Sequence, residues 1–204
     1  TTNGYQWNWY SQLAFPLTTN GFNYFKTELD ATWYTPLIGD NSLVLCMHSH
    51  LGFIHPLNGK NAPWKSLFHM GGPATIRGYT YGQVGPTWEG DSMGATKAFN
   101  INIEFIAPLT ADLTTRAVIF YDGGAGWDMP YKDDLRAKIS EIDPSFPFNT
   151  TLKNDTFFYR HSVGIGIRML NPTPLQVDFG IKLNPSKVFK NKATELHFSM
   201  THEF

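Results

Sequence analysis

Hydrophobic and polar residues alternate along most of this chain with a period of two. At that spacing, successive side chains of a β-strand point to opposite faces. Between 5 and 16, Tyr5, Trp7, Trp9, Leu13 and Phe15 fall on one face, and Gln6, Asn8, Tyr10, Gln12 and Ala14 on the other. Between 24 and 36, Phe25, Leu29, Ala31 and Trp33 oppose Lys26, Glu28, Asp30 and Thr32. Between 42 and 54, Leu43, Leu45, Met47, Leu51 and Phe53 oppose Cys46, His48, His50 and Gly52. The pattern returns at 98–108, where Phe99, Ile101, Ile103 and Phe105 oppose Asn100, Asn102 and Glu104, and less cleanly at 114–122. Three further segments, 157–170, 174–184 and 195–204, repeat it, the last with Leu196, Phe198, Met200 and Phe204 on one row. The chain is thus predicted to be all-β, with eight strands.

Strand length is close to the ~9–11 residues that a tilted membrane strand needs. A soluble sandwich with one wet face would alternate in the same way. Two features favour a membrane barrel. The polar rows carry Gly, Asn, Ser and charges of both signs, as a watery lumen requires. The apolar rows carry Trp, Tyr and Phe near their ends, as interfacial girdles do. The connections divide accordingly: 109–113 and Asn171-Pro172-Thr173-Pro174 are short, whereas 55–97 and 128–156 are long. Within the second long connection, Lys132 to Arg136 reads as solvated surface loop, with a short helix as the alternative.

Phe, Tyr and Trp make up 15% of the residues, and 18 Gly and 13 Pro supply turns. No run approaches the roughly 18–20 uncharged apolar residues of a transmembrane helix. A net charge of −1 leaves no electrostatic footprint for nucleic acid. The single cysteine, Cys46, excludes an intrachain disulfide. The chain opens in mid-pattern without Met, a charged n-region or an apolar h-region, which reads as a piece of a longer precursor. No nucleophile elbow or phosphate loop is present. His48 and His50 share a strand face with Cys46, but spacing fixes no third ligand, so no metal or other cofactor is assigned.

The candidate chemistry lies in the long connection 55–97. Its stretch Phe68-His69-Met70-Gly71-Gly72-Pro73-Ala74-Thr75-Ile76-Arg77-Gly78-Tyr79 holds one arginine. Two later strands each place a carboxylate where a barrel interior would be: Glu104, within Ile103-Glu104-Phe105, and Asp122, within Tyr121-Asp122-Gly123. A guanidinium has five donors in a planar fork, enough to bridge two carboxylates. The reading is a loop pinned inside a barrel.

Phe68, Gly71, Gly72 and Ile76-Arg77-Gly78-Tyr79 resemble the signature of the sixth extracellular loop in BamA-like outer-membrane assembly factors. The family usually has Val-Arg-Gly-Phe or Val-Arg-Gly-Tyr there, so Ile76 is a mild departure. The resemblance continues in order through Asn102–Pro108, Phe120–Asp128 and His161–Gln176 to the terminal Phe204, and upstream through Tyr24–Lys26 and Tyr34–Pro36. It implies a transmembrane antiparallel β-barrel in which these eight strands correspond to strands nine to sixteen of a sixteen-stranded barrel. Residues 1–204 would be its C-terminal part, and 55–97 would fold into the lumen. Arg77, Gly78 and Tyr79 would anchor the loop against Glu104 and Asp122. Leu196, Phe198, Met200 and Phe204 would lie on the closing strand at a weak seam that templates incoming strands by β-augmentation. His202 falls on the same lipid-facing row.

The implied function is insertion of other barrel proteins into the bacterial outer membrane, without enzymatic chemistry, nucleotide or metal. The implied partners are unfolded outer-membrane β-barrel proteins, accessory lipoproteins of an assembly complex and the lipid bilayer. A two-partner secretion or translocation-module barrel of the same superfamily, and a passive porin with an inward constriction loop, are the alternatives.

Overall fold

A computed structural model of the chain describes residues 2–18, 21–39, 42–58, 62–110, 112–171, 173–185 and 192–200. Eight long strands form one antiparallel sheet: β1 (Gly4–Ala14), β2 (Tyr24–Pro36), β3 (Val44–Pro56), β6 (Lys97–Pro108), β7 (Thr115–Trp127), β9 (Arg160–Met169), β10 (Leu175–Lys182) and β11 (Thr194–Ser199). Their order across the sheet is β1-β2-β3-β6-β7-β9-β10-β11, so each long strand pairs with the next in the chain. Among the described residues β1 and β11 are the two edges. Three two-residue strands, β4 (Thr87–Trp88), β5 (Asp91–Ser92) and β8 (Leu152–Lys153), form a second small sheet in the order β5-β4-β8. That sheet ties the two long connections together.

The two faces of the large sheet differ in chemistry. One carries Ile119, Ile165 and Phe198, which are 62%, 61% and 65% exposed although they lie within strands. Bare β-branched and aromatic side chains in mid-strand fit hydrocarbon as their solvent, not water. The other face carries Asn100, Asp122, Ser162, Arg168, Asp178, Lys182 and His197, all buried. What buries them is the connection between β3 and β6. Phe68, Met70, Ile76, Tyr79 and Val84 from that segment pack against Tyr24, Ile54 and Ala98 of the wall. The main apolar core therefore lies between a loop and the inner face of the sheet.

Several boundaries differ from the sequence reading, each for a local reason. β7 runs to Trp127 rather than stopping at 122. Gly123-Gly124-Ala125-Gly126 has weak strand propensity, but in a strand glycine also marks close backbone approach. A side chain on Gly124 would strike Asn100, and one on Gly126 would press on Met70 and Val84 of the loop. Lys132 to Arg136 is not loop but the start of α1 (Lys132–Ile142). Asp133 and Asp134 suit its N-terminal turn. Leu135 and Ile139, one turn apart, pack on a second cluster with Met129, Phe148 of α2 (Phe148–Thr151) and Leu152. A short 3₁₀ turn, Trp64–Ser66, opens the inner loop. β1 covers 4–14 instead of 5–16, β3 covers 44–56 instead of 42–54, and β9 covers 160–169 instead of 157–170. β10 ends at Lys182 and β11 at Ser199, with Met200 following outside the strand. His202 and Phe204 lie outside the described residues.

Candidate functional site: a loop arginine on a carboxylate wall

The site begins with the turn that presents Arg77. Gly71 and Gly72 have φ of 110° and 95°, in the region that favours glycine. The Gly72 amide donates to the Tyr79 carbonyl at 2.7 Å, and the Gly71 amide donates to Thr75 Oγ1 at 2.8 Å. Asn102 on β6 fixes the turn to the wall by donating from Nδ2 to the Thr75 carbonyl at 2.6 Å. Ile76 is fully buried, and Arg77 follows it, 3% exposed.

Arg77 is held by side chains of four strands, β6, β7, β9 and β10. Its Nε and Nη2 donate to the two oxygens of Asp122 on β7, each at 2.7 Å, a bidentate fork. Its backbone amide donates to the same carboxylate at 2.9 Å. Its Nη1 donates to Glu104 on β6 and lies 3.8 Å from Asp178 on β10. Its carbonyl accepts from the Ser162 hydroxyl on β9. The guanidinium carbon sits 3.7 Å from the centre of the Phe120 ring, a cation–π contact. Phe120 can lie against the wall because its cross-strand neighbour is Gly164, where a side chain would collide with the ring.

A second arginine completes the cluster. Arg168 on β9 donates to Asp178 at 2.6 Å and to Glu104 at 3.2 Å. Gln176 donates to the other Asp178 oxygen at 2.6 Å. Three carboxylates thus face two guanidiniums. Burial alone would lower the Arg77 pKa. The hydrogen bonds and charge of Asp122, with Glu104 and Asp178 behind it, more than reverse this, so Arg77 is a permanent cation.

The next two residues reach further along the sheet. Gly78 has φ of 88°, and its amide donates to His197 Nε2 on β11 at 3.0 Å. It lies against Gly180 on β10, where a Cβ would come within 2.5 Å of the Gly78 nitrogen. The Tyr79 hydroxyl donates to Asn184 Oδ1 at 2.9 Å, just beyond β10. Burial pushes that hydroxyl up to about 12, so it stays a donor. Arg77, Gly78 and Tyr79 therefore grip different strands in turn.

Of the residues singled out in the sequence, the structure brings Arg77, Gly78, Tyr79, Glu104 and Asp122 into this cluster. Phe68 packs over Gly52 of β3, where a side chain would strike its ring, and beneath the Lys26 ammonium, 4.6 Å from the ring centre. Leu196 and Phe198 are exposed on the apolar face of β11, and Met200 is exposed just beyond it. The sequence reading missed Asp178, Arg168, Ser162, His197, Phe120 and Asn184. His48 and His50 engage Asn102 and Asp30 at 3.1 and 2.8 Å on the inner wall. Among the described residues no group of three His, Cys, Asp or Glu side chains could hold a metal ion.

Comparison with known proteins agrees with this architecture. The chain is 25% identical over 195 residues to the outer membrane protein assembly factor BamA of Neisseria meningitidis, covering 89% of this chain and 24% of that protein. It is 28% identical over 105 residues to a SAM50-like protein of Schizosaccharomyces pombe, covering 50% of this chain and 22% of that one. The chain thus spans about a quarter of the length of these curated relatives. Its fold matches the crystal structure of BamA from Haemophilus ducreyi lacking POTRA domains 1–3, with a TM-score of 0.74 and 20% identity over 96% of this chain and 37% of that one. The Omp85 superfamily domain matches residues 1–204, and this chain belongs to that superfamily of outer-membrane β-barrel proteins.

Proposed function

We propose that this chain is the C-terminal part of a β-barrel that folds and inserts other outer-membrane barrel proteins, acting through a lateral seam and without nucleotide. The observation that carries the reading is the grip of one loop tripeptide on five neighbouring strands, β6, β7, β9, β10 and β11. A passive wall gains nothing from crowding two arginines and three carboxylates behind a loop. A machine that must keep its lumen ordered while one edge opens needs such an internal brace. The segment between β3 and β6 is then a lumenal plug, and 1–204 corresponds to strands nine to sixteen of a sixteen-stranded barrel. The relative named BamA is an assembly factor, which supports the same role here.

In this reading the unpaired backbone groups of an opened edge strand template a client strand by β-augmentation. The free energy of client folding drives insertion, and the protein lowers the barrier. Its partners are unfolded outer-membrane β-barrel proteins, accessory lipoproteins and the bilayer, and its place is the bacterial outer membrane. The test is replacement of a host's own assembly factor by the natural full-length protein, with or without Arg77→Ala. The native form should sustain the levels of other outer-membrane barrels and the variant should not. Failure of the native form to sustain any of them, in a host where it reaches the membrane, would count against assembly.

A further inference from the structure

We propose that His197 is a positioning residue that couples the pinned loop to β11, and that the coupling holds only while its imidazole is neutral. The Gly78 amide is a buried donor, and its acceptor is His197 Nε2 at 3.0 Å. A ring nitrogen accepts only when it carries no proton, so the imidazole holds its hydrogen on Nδ1. Protonation at Nε2 would set one donor against another. β11 pairs only with β10 among the described residues, so this contact is its tie to the loop rather than to the sheet.

The surroundings of His197 are charged. His197 stands opposite Asp178 in the β10–β11 register. The charges acting on it are Glu195 on its own strand, Asp178 on β10, Asp122 on β7 and Arg77 of the loop. Glu104, Asp122 and Asp178 outnumber Arg77 and Arg168 by one, so an imidazolium would complete the charge balance. Asp178 is the carboxylate across the strand pair. Gain of a proton would trade the Gly78 bond for attraction to Asp178, and the last described strand would part from the loop. Gly78 cannot answer with a side chain, since its φ is 88° and Gly180 fills the space beside it.

The inference rests on the reading of this loop as a brace, but its test does not depend on assembly activity. Hydrogen exchange of the Gly78 amide would be followed in the natural full-length protein in lipid nanodiscs, from about pH 8 to about pH 5. The protection factor should fall by roughly tenfold per pH unit once the imidazole begins to titrate. His197→Gln keeps an acceptor that does not titrate, so protection should persist and its pH dependence should vanish. His197→Phe should lose protection at every pH. Constant Gly78 protection in the native protein, or an equal pH dependence in His197→Gln, would overturn the proposal. A protein that inserts no client yet shows the pH effect would refute the assembly reading and leave the coupling intact.

Discussion

Replacing Arg77 by Ala removes the side chain that binds Asp122 with two donors. Asp122 has no exposed surface and would keep one hydrogen bond, from the residue 77 amide at 2.9 Å. Glu104 and Asp178 would be less affected, because Arg168 donates to both. The penalty therefore falls on one stranded carboxylate. Breaking a buried pair on one side costs about 3–5 kcal/mol. Loss of the contact over Phe120 adds about 1 kcal/mol. The pair term alone raises the opening constant of the loop by roughly two hundred- to five thousand-fold. The sheet itself keeps its pairing, since no strand–strand hydrogen bond involves Arg77. Amide exchange of the full-length protein in lipid reads this directly. Gly72 and Val84, whose amides bond the Tyr79 and Met70 carbonyls, should lose protection, while β6 and β7 amides should not. Unchanged exchange at Gly72 and Val84 would refute the reasoning, because the arginine would then be an ornament on a loop held by apolar packing.

Three further outcomes follow from the same geometry. In a double-mutant cycle, Arg77→Ala with Asp122→Asn should be less disruptive than the sum of the two, with a coupling of about 2–3 kcal/mol in the same exchange assay. Gly180→Val should displace the loop at Gly78, because the clash is with backbone atoms at 2.5 and 2.6 Å; thermal unfolding should report a loss of about 1–3 kcal/mol. Ile165→Arg, on the bare apolar face, should cost about 2–4 kcal/mol if the residue lies near the bilayer midplane. Refolding yield into liposomes would measure that loss, and a neutral result would deny the lipid-facing role of Ile119, Ile165 and Phe198.

Much of the fold was legible because alternation is strict where one face meets water or a plug and the other hydrocarbon. The faces of β2, β3, β6 and β10 can be assigned from single residues such as Glu28, His48, Asn102 and Asp178. Glu104 and Asp122 stood out because each interrupts an apolar neighbourhood. Arg168 and Asp178 did not, since polar residues on those rows are ordinary. Only the register, which sets Asp178 beside Gly166 and Arg168 beside Gln176, turns them into a pair. A side chain at Gly166 would occupy the space of the Asp178 carboxylate, a signal that no strand pattern carries. Phe120 was obscure for the opposite reason. An aromatic residue on the polar row breaks alternation, and its purpose appears only when Arg77 is seen above it. The end of β7 was set too early, at 122, and the start of α1 was read as loop, because local propensity was overridden by packing against the loop and against the Phe148 cluster.

The most direct measurement of assembly is the folding rate of an unfolded outer-membrane barrel protein in liposomes containing the natural full-length protein, with no nucleotide present. Folding should be faster than in empty liposomes, and most of that acceleration should be lost in Arg77→Ala. A rate equal to that of empty liposomes, together with steady ion conductance, would contradict assembly and leave a pore narrowed by its own loop.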